Sequence, residues 1–326
     1  MLMTSSSNDA FASVGGFQPY IKIGGNWIEY PDHNWHAGAA WHYTSVAGCY
    51  GILANHELWA SSASMMNDPE EINYGVQKVA EVYVSWRLKN PSDTPAHEFL
   101  QSAIDGLGRS MKRAFPFILS ASTSPHLLNQ WANYGDGSGC CIGLDGKTML
   151  HVVGRDGPAD KGEHLPAWLT VIYDYSAQEA HITRLFDQLV ESQGQIASAL
   201  QADQFAQELL FQNLAMLVAS LKHPAYAAEK EVRFVVTRKP DDTLAFRPSQ
   251  RGIVPYQRLG GTINLSNGKI GLPDDPSKPL RLPIQAIYVG PPQGESEIRR
   301  IRSMSDFAAA QGYEVDVLGA GIPYLP

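Results

Sequence analysis

Val232-Arg233-Phe234-Val235-Val236-Thr237 is a run of β-branched and aromatic residues bounded by charge, and it reads as a strand. The segments downstream of it set the fold class. Gly252 to Arg258, Ile284 to Val289 and Tyr313 to Leu318 read as further strands, and a single helical pattern, Ser296 to Gln311, falls among them. Strands and helices do not alternate strictly, which predicts an α+β fold rather than a doubly wound parallel sheet. At the start of the first strand, Glu229, Glu231 and Arg233 alternate with Val232, Phe234 and Val236, so the charged row and the apolar row occupy opposite faces. The ordinary expectation for such a charged row is a solvated face.

Earlier in the chain the pattern is mixed. Val46, Cys49, Tyr50 and Leu53 fall at helical spacing and Asn55 closes that helix, after which Leu58 to Ser62 reads as a short strand. The turn Asn67-Asp68-Pro69 opens a helix to Lys89, and a second helix spans Pro95 to Arg113. Strands at Phe115 to Ser120 and Cys140 to Leu144 flank a helix from Pro125 to Ala132, and Leu169 to Tyr173 is another strand. Ser176 and Glu179 form a capping-box pattern before a helix that buries Ile182, Leu185 and Phe186, and a further helix spans Asp203 to Lys222. Residues 1–38 read as an amino-terminal arm followed by an ordered loop or hairpin, and residues 39–326 as one domain with helical insertions. The loop from Gly260 to Pro279 reads as long, polar and mobile.

Composition excludes several classes. With 33 acidic and 25 basic side chains the formal charge is -8, which repels phosphate backbones and anionic membrane surfaces. No run of apolar residues is long enough to span a membrane and no leader pattern opens the chain, so a cytoplasmic, membrane-free protein is expected. Cys49, Cys140 and Cys141 do not make a disulfide framework. Dinucleotide, P-loop and G-x-S-x-G patterns are all missing, and Asp32, His33 and His36 have no matching ligands elsewhere, so no metal is expected.

Chemistry concentrates at Trp41-His42-Tyr43-Thr44-Ser45. An imidazole at a strand end, followed by two hydroxyl residues able to cap a helix, stands beside free backbone donors. Such an imidazole ordinarily satisfies a buried carbonyl, and Thr44 or Ser45 ordinarily caps the next helix. A carboxylate from the Glu229–Arg233 row, placed at a cleft mouth, suits glycosyl transfer without a metal, because it stabilises positive charge developing at an anomeric carbon.

The ordered set Trp41-His42-Tyr43-Thr44-Ser45, Leu58-Trp59-Ala60-Ser61-Ser62, Asn67-Asp68-Pro69, Gln130-Trp131-Ala132-Asn133-Tyr134, Gly139 to Asp145, Lys222-His223 and Glu229-Lys230-Glu231-Val232-Arg233 resembles a bacterial family known as domain of unknown function 2971. The opening corner is also similar to the His-Tyr-Glu branch of the ADP-ribosyltransferase superfamily. That resemblance implies two small, mainly antiparallel sheets forming a cleft for NAD. It implies His42 on the nicotinamide ribose, the Tyr43 backbone on the carboxamide, Thr44 or Ser45 fixing ribose and amide, and Glu231 or Glu229 as the catalytic carboxylate. Met66 stands where that family shows Phe, so Trp59 or Tyr74 would stack on nicotinamide. Ser61, Ser62, Asn67 and Arg233 complete the implied NAD contacts. A protein or nucleic-acid acceptor, a role in toxicity or antiphage defence, and an inhibitory partner protein are implied by the same likeness. The alternative reading is a non-catalytic nucleotide- or protein-binding module on the same fold.

Overall fold

The computed structural model describes residues 20–23, 26–29, 33–66, 70–113, 115–135, 138–155, 168–191, 204–239, 242–264, 270–271, 275, 277–291 and 297–322. In chain order the strands are β1 (Tyr20–Ile23), β2 (Asn26–Glu29), β3 (Ala39–Thr44), β4 (Leu58–Ser62), β5 (Phe117–Ser122), β6 (Cys140–Asp145), β7 (His151–Val152), β8 (Trp168–Thr170), β9 (Glu231–Val236), β10 (Ala245–Ser249), β11 (Gly252–Gly260), β12 (Ile263–Asn264), β13 (Ile270–Gly271), β14 (Ile284–Val289) and β15 (Asp316–Gly319). The helices are α1 (Val46–Asn55), α2 (Glu71–Lys89), α3 (Pro95–Arg113), α4 (Leu128–Tyr134), α5 (Tyr175–Glu191), α6 (Gln204–Ser220) and α7 (Glu297–Ala310).

The fold is α+β with a mixed sheet. The expected pair of small sheets is replaced by one sheet of eleven strands, because β5 joins what would otherwise be two units. One edge of β5 pairs along its full length with β9. Its other edge is divided: Phe117 and Ile118 pair with β4, while Ser122 pairs with Trp41 of β3. Two arms therefore leave the same edge, β4–β11–β10 at one end and β3–β6–β14–β15 at the other. Between them lies a fork at Leu119 to Ala121, where neither arm supplies a ladder partner. β14 and β15 pair in parallel and are joined by α7, as a parallel connection requires a crossover.

Both faces of the sheet centre are covered. On one face, Ile118, Leu169 and Val235 share a core with residues of α2, α3, α5 and α6. On the other, Phe117, Leu119, Val232, Phe234 and Val236 pack with Cys49 and Leu53 of α1 and Ala308 of α7. Gly75 sets how closely α2 approaches α6, since a Cβ there would lie 2.5 Å from the Val218 carbonyl oxygen. That close approach brings Glu71, at the start of α2, beside β9.

Some local readings need correction. α5 is opened by Asp174 rather than by Ser176: the Asp174 carboxylate accepts from the Ala177 amide at 2.9 Å and from the Ser176 hydroxyl. An edge strand, β10, arises where none was expected; Pro248 interrupts its pattern, which an edge position tolerates. The aromatic stretch near the amino terminus does contain a hairpin, β1 with β2. The loop after β11 holds a second small antiparallel pair, β12 with β13. Among the described residues no helix is long and apolar enough to cross a membrane.

Candidate functional site

The Trp41–Ser45 corner ends β3 and enters α1. Ser45 is the N-cap of α1, its hydroxyl accepting from the Gly48 amide at 3.1 Å. Thr44 packs against Gly48, where a Cβ would fall 2.1 Å from the Thr44 hydroxyl oxygen. Tyr43 is buried: its hydroxyl donates to the Ser124 carbonyl at 2.8 Å and accepts from the Leu127 amide at 3.0 Å, and its ring meets Trp131 edge-on. Both hydroxyl residues and the tyrosine ring thus hold the corner in shape.

His42 is different. Its Nδ1 lies 2.9 Å from the carbonyl oxygen of Ser120, which points into the fork. A carbonyl only accepts, so Nδ1 carries the proton and Nε2 presents a lone pair. Among the described residues Nε2 has no hydrogen-bond partner, and it is not sealed from solvent. Burial pushes the His42 pKa down, opposed by the Ser120 carbonyl, which keeps the ring neutral at physiological pH.

Glu231 and Arg233 do not form a solvated row; every residue of β9 is buried. Arg233 donates to both carboxylate oxygens of Glu231, from Nε at 2.9 Å and Nη2 at 2.8 Å, to the Ala219 carbonyl at 2.7 Å, and to Glu71. Lys222 lies 2.9 Å from Glu231, 2.7 Å from Glu229 and 2.8 Å from Glu71. Lys230 has a left-handed backbone, φ 45°, and so turns the chain between Glu229 and Glu231 and lets both reach one ammonium. Burial alone would raise the Glu231 pKa, but Arg233 and Lys222 outweigh it and hold the carboxyl at about 2.

The structure brings Glu229, Glu231 and Arg233 together and keeps them apart from His42. Trp41 pairs with Ser122, and Ser122 with Glu231, so Trp41 shares the face of the charged row. His42 is one residue on and projects to the other face, with Ile142 of β6. Tyr74 bonds Gln178 at 2.8 Å between α2 and α5, and Ser62 is buried against Ser64. Trp59 is 45% exposed, and Ser61 accepts from Arg247 at 3.2 Å. Asn67 lies outside the described residues. His33 and His36 bond Asn213 and the Ala39 carbonyl.

Sequence reading assigned no role to Glu71, Lys222, Arg247, Tyr256 or Arg258. Alternation could have flagged Tyr256 and Arg258, two apart on one strand; nothing local pairs Glu71 with residues some 160 positions away.

Fold and site together define an α+β domain with a forked, helix-covered sheet and a buried ion-pair centre. Residues 130–234, from α4 to β9, match the family model described as a protein of unknown function, DUF2971, and that stretch holds Lys222, Glu229, Glu231 and Arg233. No curated protein and no solved structure matches the chain.

Proposed function

We propose that the chain is a nucleotide-binding module that takes NAD or a related dinucleotide at the fork through His42 and does not turn it over. The likeness of the Trp41–Ser45 corner to the ADP-ribosyltransferase superfamily supports the ligand class. His42 has the chemistry for it: a neutral ring, fixed by Ser120, whose Nε2 accepts from a ribose hydroxyl or an amide.

The observation that carries the reading is the state of Glu231. A carboxylate that stabilises an oxocarbenium-like ribose must offer an oxygen to it. Both Glu231 oxygens are already engaged by Arg233, one of them also by Lys222. Calorimetric titration of NAD is expected to show binding that His42→Ala weakens about tenfold, the loss of one hydrogen bond to a buried group. Incubation with NAD is expected to release no nicotinamide. Failure of NAD to bind, or equal binding by His42→Ala, sinks the reading.

ADP-ribosyl transfer is the second reading, favoured by one feature: Glu231 stays ionised at neutral pH on the strand beside the Ser120 that holds His42. A macromolecular acceptor, a toxic or defensive role and a restraining partner protein belong to it. Nicotinamide release that disappears in a folded Glu231→Gln variant establishes this reading in place of the first.

A further inference from the structure

The β4–β11–β10 arm carries a feature that neither the fork nor the buried ion pairs use. Trp59 of β4 stands directly across from Arg258 of β11, and its ring lies 4.5 Å from that of Tyr256 at an angle of 31°. Ser61 stands across from Tyr256, and Tyr256 across from Ala245 of β10, so Trp59, Ser61, Tyr256, Arg258 and Arg247 share one face. Trp59 belongs to none of the hydrophobic clusters and its ring is open to solvent, while Tyr256, packed against it, is buried.

The two arginines flank this aromatic pair. Arg258 is balanced by Glu57 at 3.0 Å. Arg247 has no carboxylate partner among the described residues; its one hydrogen bond is to the Ser61 hydroxyl at 3.2 Å. Its Nε is sealed from water with no acceptor, while Nη1 is unpaired and not sealed. A guanidinium in that condition, in a chain of net charge -8, marks where an anionic acceptor is missing.

We infer that this face is a binding site for a nucleoside diphosphate, its base stacked on the Trp59 ring, which Tyr256 backs, and its phosphates held by Arg247 and Arg258. An aromatic surface takes the planar base, and a forked guanidinium takes phosphate oxygens in pairs. A nucleic-acid strand fits less well, since it needs several stackers along a basic groove, and this face offers one exposed ring in an acidic chain. The site is separate from His42, which projects to the opposite face.

ADP titrated into the full chain, followed by calorimetry, tests this. Trp59→Leu and Arg247→Gln are each expected to weaken ADP binding about tenfold or more, the scale of losing a base stack or a phosphate contact. Adenosine is expected to bind weakly and to be insensitive to Arg247→Gln, and His42→Ala is expected to leave ADP binding unchanged. Thermal unfolding of both arm variants should match the parent, since neither residue is in a core. No heat with millimolar ADP, ADP binding that ignores both substitutions, or tighter binding of a short single-stranded oligonucleotide than of ADP overturns the assignment. The two sites are read separately: the arm would also take the ADP half of NAD, so NAD titrated into the Trp59→Leu/Arg247→Gln double variant, with and without His42→Ala, reports on the fork alone.

Discussion

The same face of one sheet is treated in two ways. At β5 and β9 it lies under α2 and α6, and there the charges Glu71, Lys222, Glu229, Glu231 and Arg233 pair with one another. Along β4, β11 and β10 it carries Trp59 in the open and Arg247 with no carboxylate partner among the described residues. Burial forces charge to find charge, because an unpaired ion under helices is too costly to keep. Where the face stays open to solvent, as at Trp59, a cation can wait for a partner from outside. The difference separates residues that hold the fold from residues that can meet a ligand.

The largest expected effect comes from breaking the covered half. Arg233→Leu leaves three carboxylates around a single ammonium, and chemical denaturation should show a loss of about 3–5 kcal/mol. Arg247→Leu, on the open half, should fall within about 0.5 kcal/mol of the parent. Equal losses would erase the distinction between the two halves.

Acid acts next, also on the covered half. His181 is buried in α5 with Nε2 unpaired, and burial followed by the nearby Arg184 lowers its pKa from 6.5 to about 4. The unfolded chain therefore takes up a proton that the folded chain refuses, and stability falls as pH drops from 6.5 through 4. That shift corresponds to roughly 3 kcal/mol. Glu231 has the opposite protonation chemistry and the same sign: its depressed pKa stabilises the fold above about 4.5, a contribution lost as pH falls through about 2. Unfolding measured from pH 7 to 3 should decline in that first window, and a His181→Gln variant should flatten it.

A smaller effect sharpens the comparison at the fork. Ser45→Ala removes the cap of α1 and should cost about 1 kcal/mol in denaturant titration. On the proposed reading NAD affinity should change little, since Ser45 holds the corner and the contact is assigned to His42. A large loss of affinity with unchanged stability would move Ser45 into the ligand site.

Much of the local structure was legible in the chain itself. α1, α3 and β4 have the bounds their patterns gave, because helical spacing, a Ser N-cap and a short β-rich run are local signals. β10 was not, since an edge strand with Pro248 and exposed residues has neither an apolar row nor a clean alternation. Of the candidate site, the His42 corner and the Glu229–Arg233 row were visible as motifs. The row is buried rather than solvated because Glu71 reaches it from α2, some 160 positions away, and Lys222 from the segment just after α6.

Local pattern along the chain was enough for the α+β class, a hydroxyl cap at Thr44 or Ser45, the two faces of β9 and the residues able to carry charge or stack. Three-dimensional packing was needed to settle that β5 joins two arms into one sheet, that Glu231 is matched by Arg233 and Lys222, and that His42 faces away from them. Face and spacing depend on neighbours along the chain, whereas cover and pairing depend on which distant segments the sheet brings alongside.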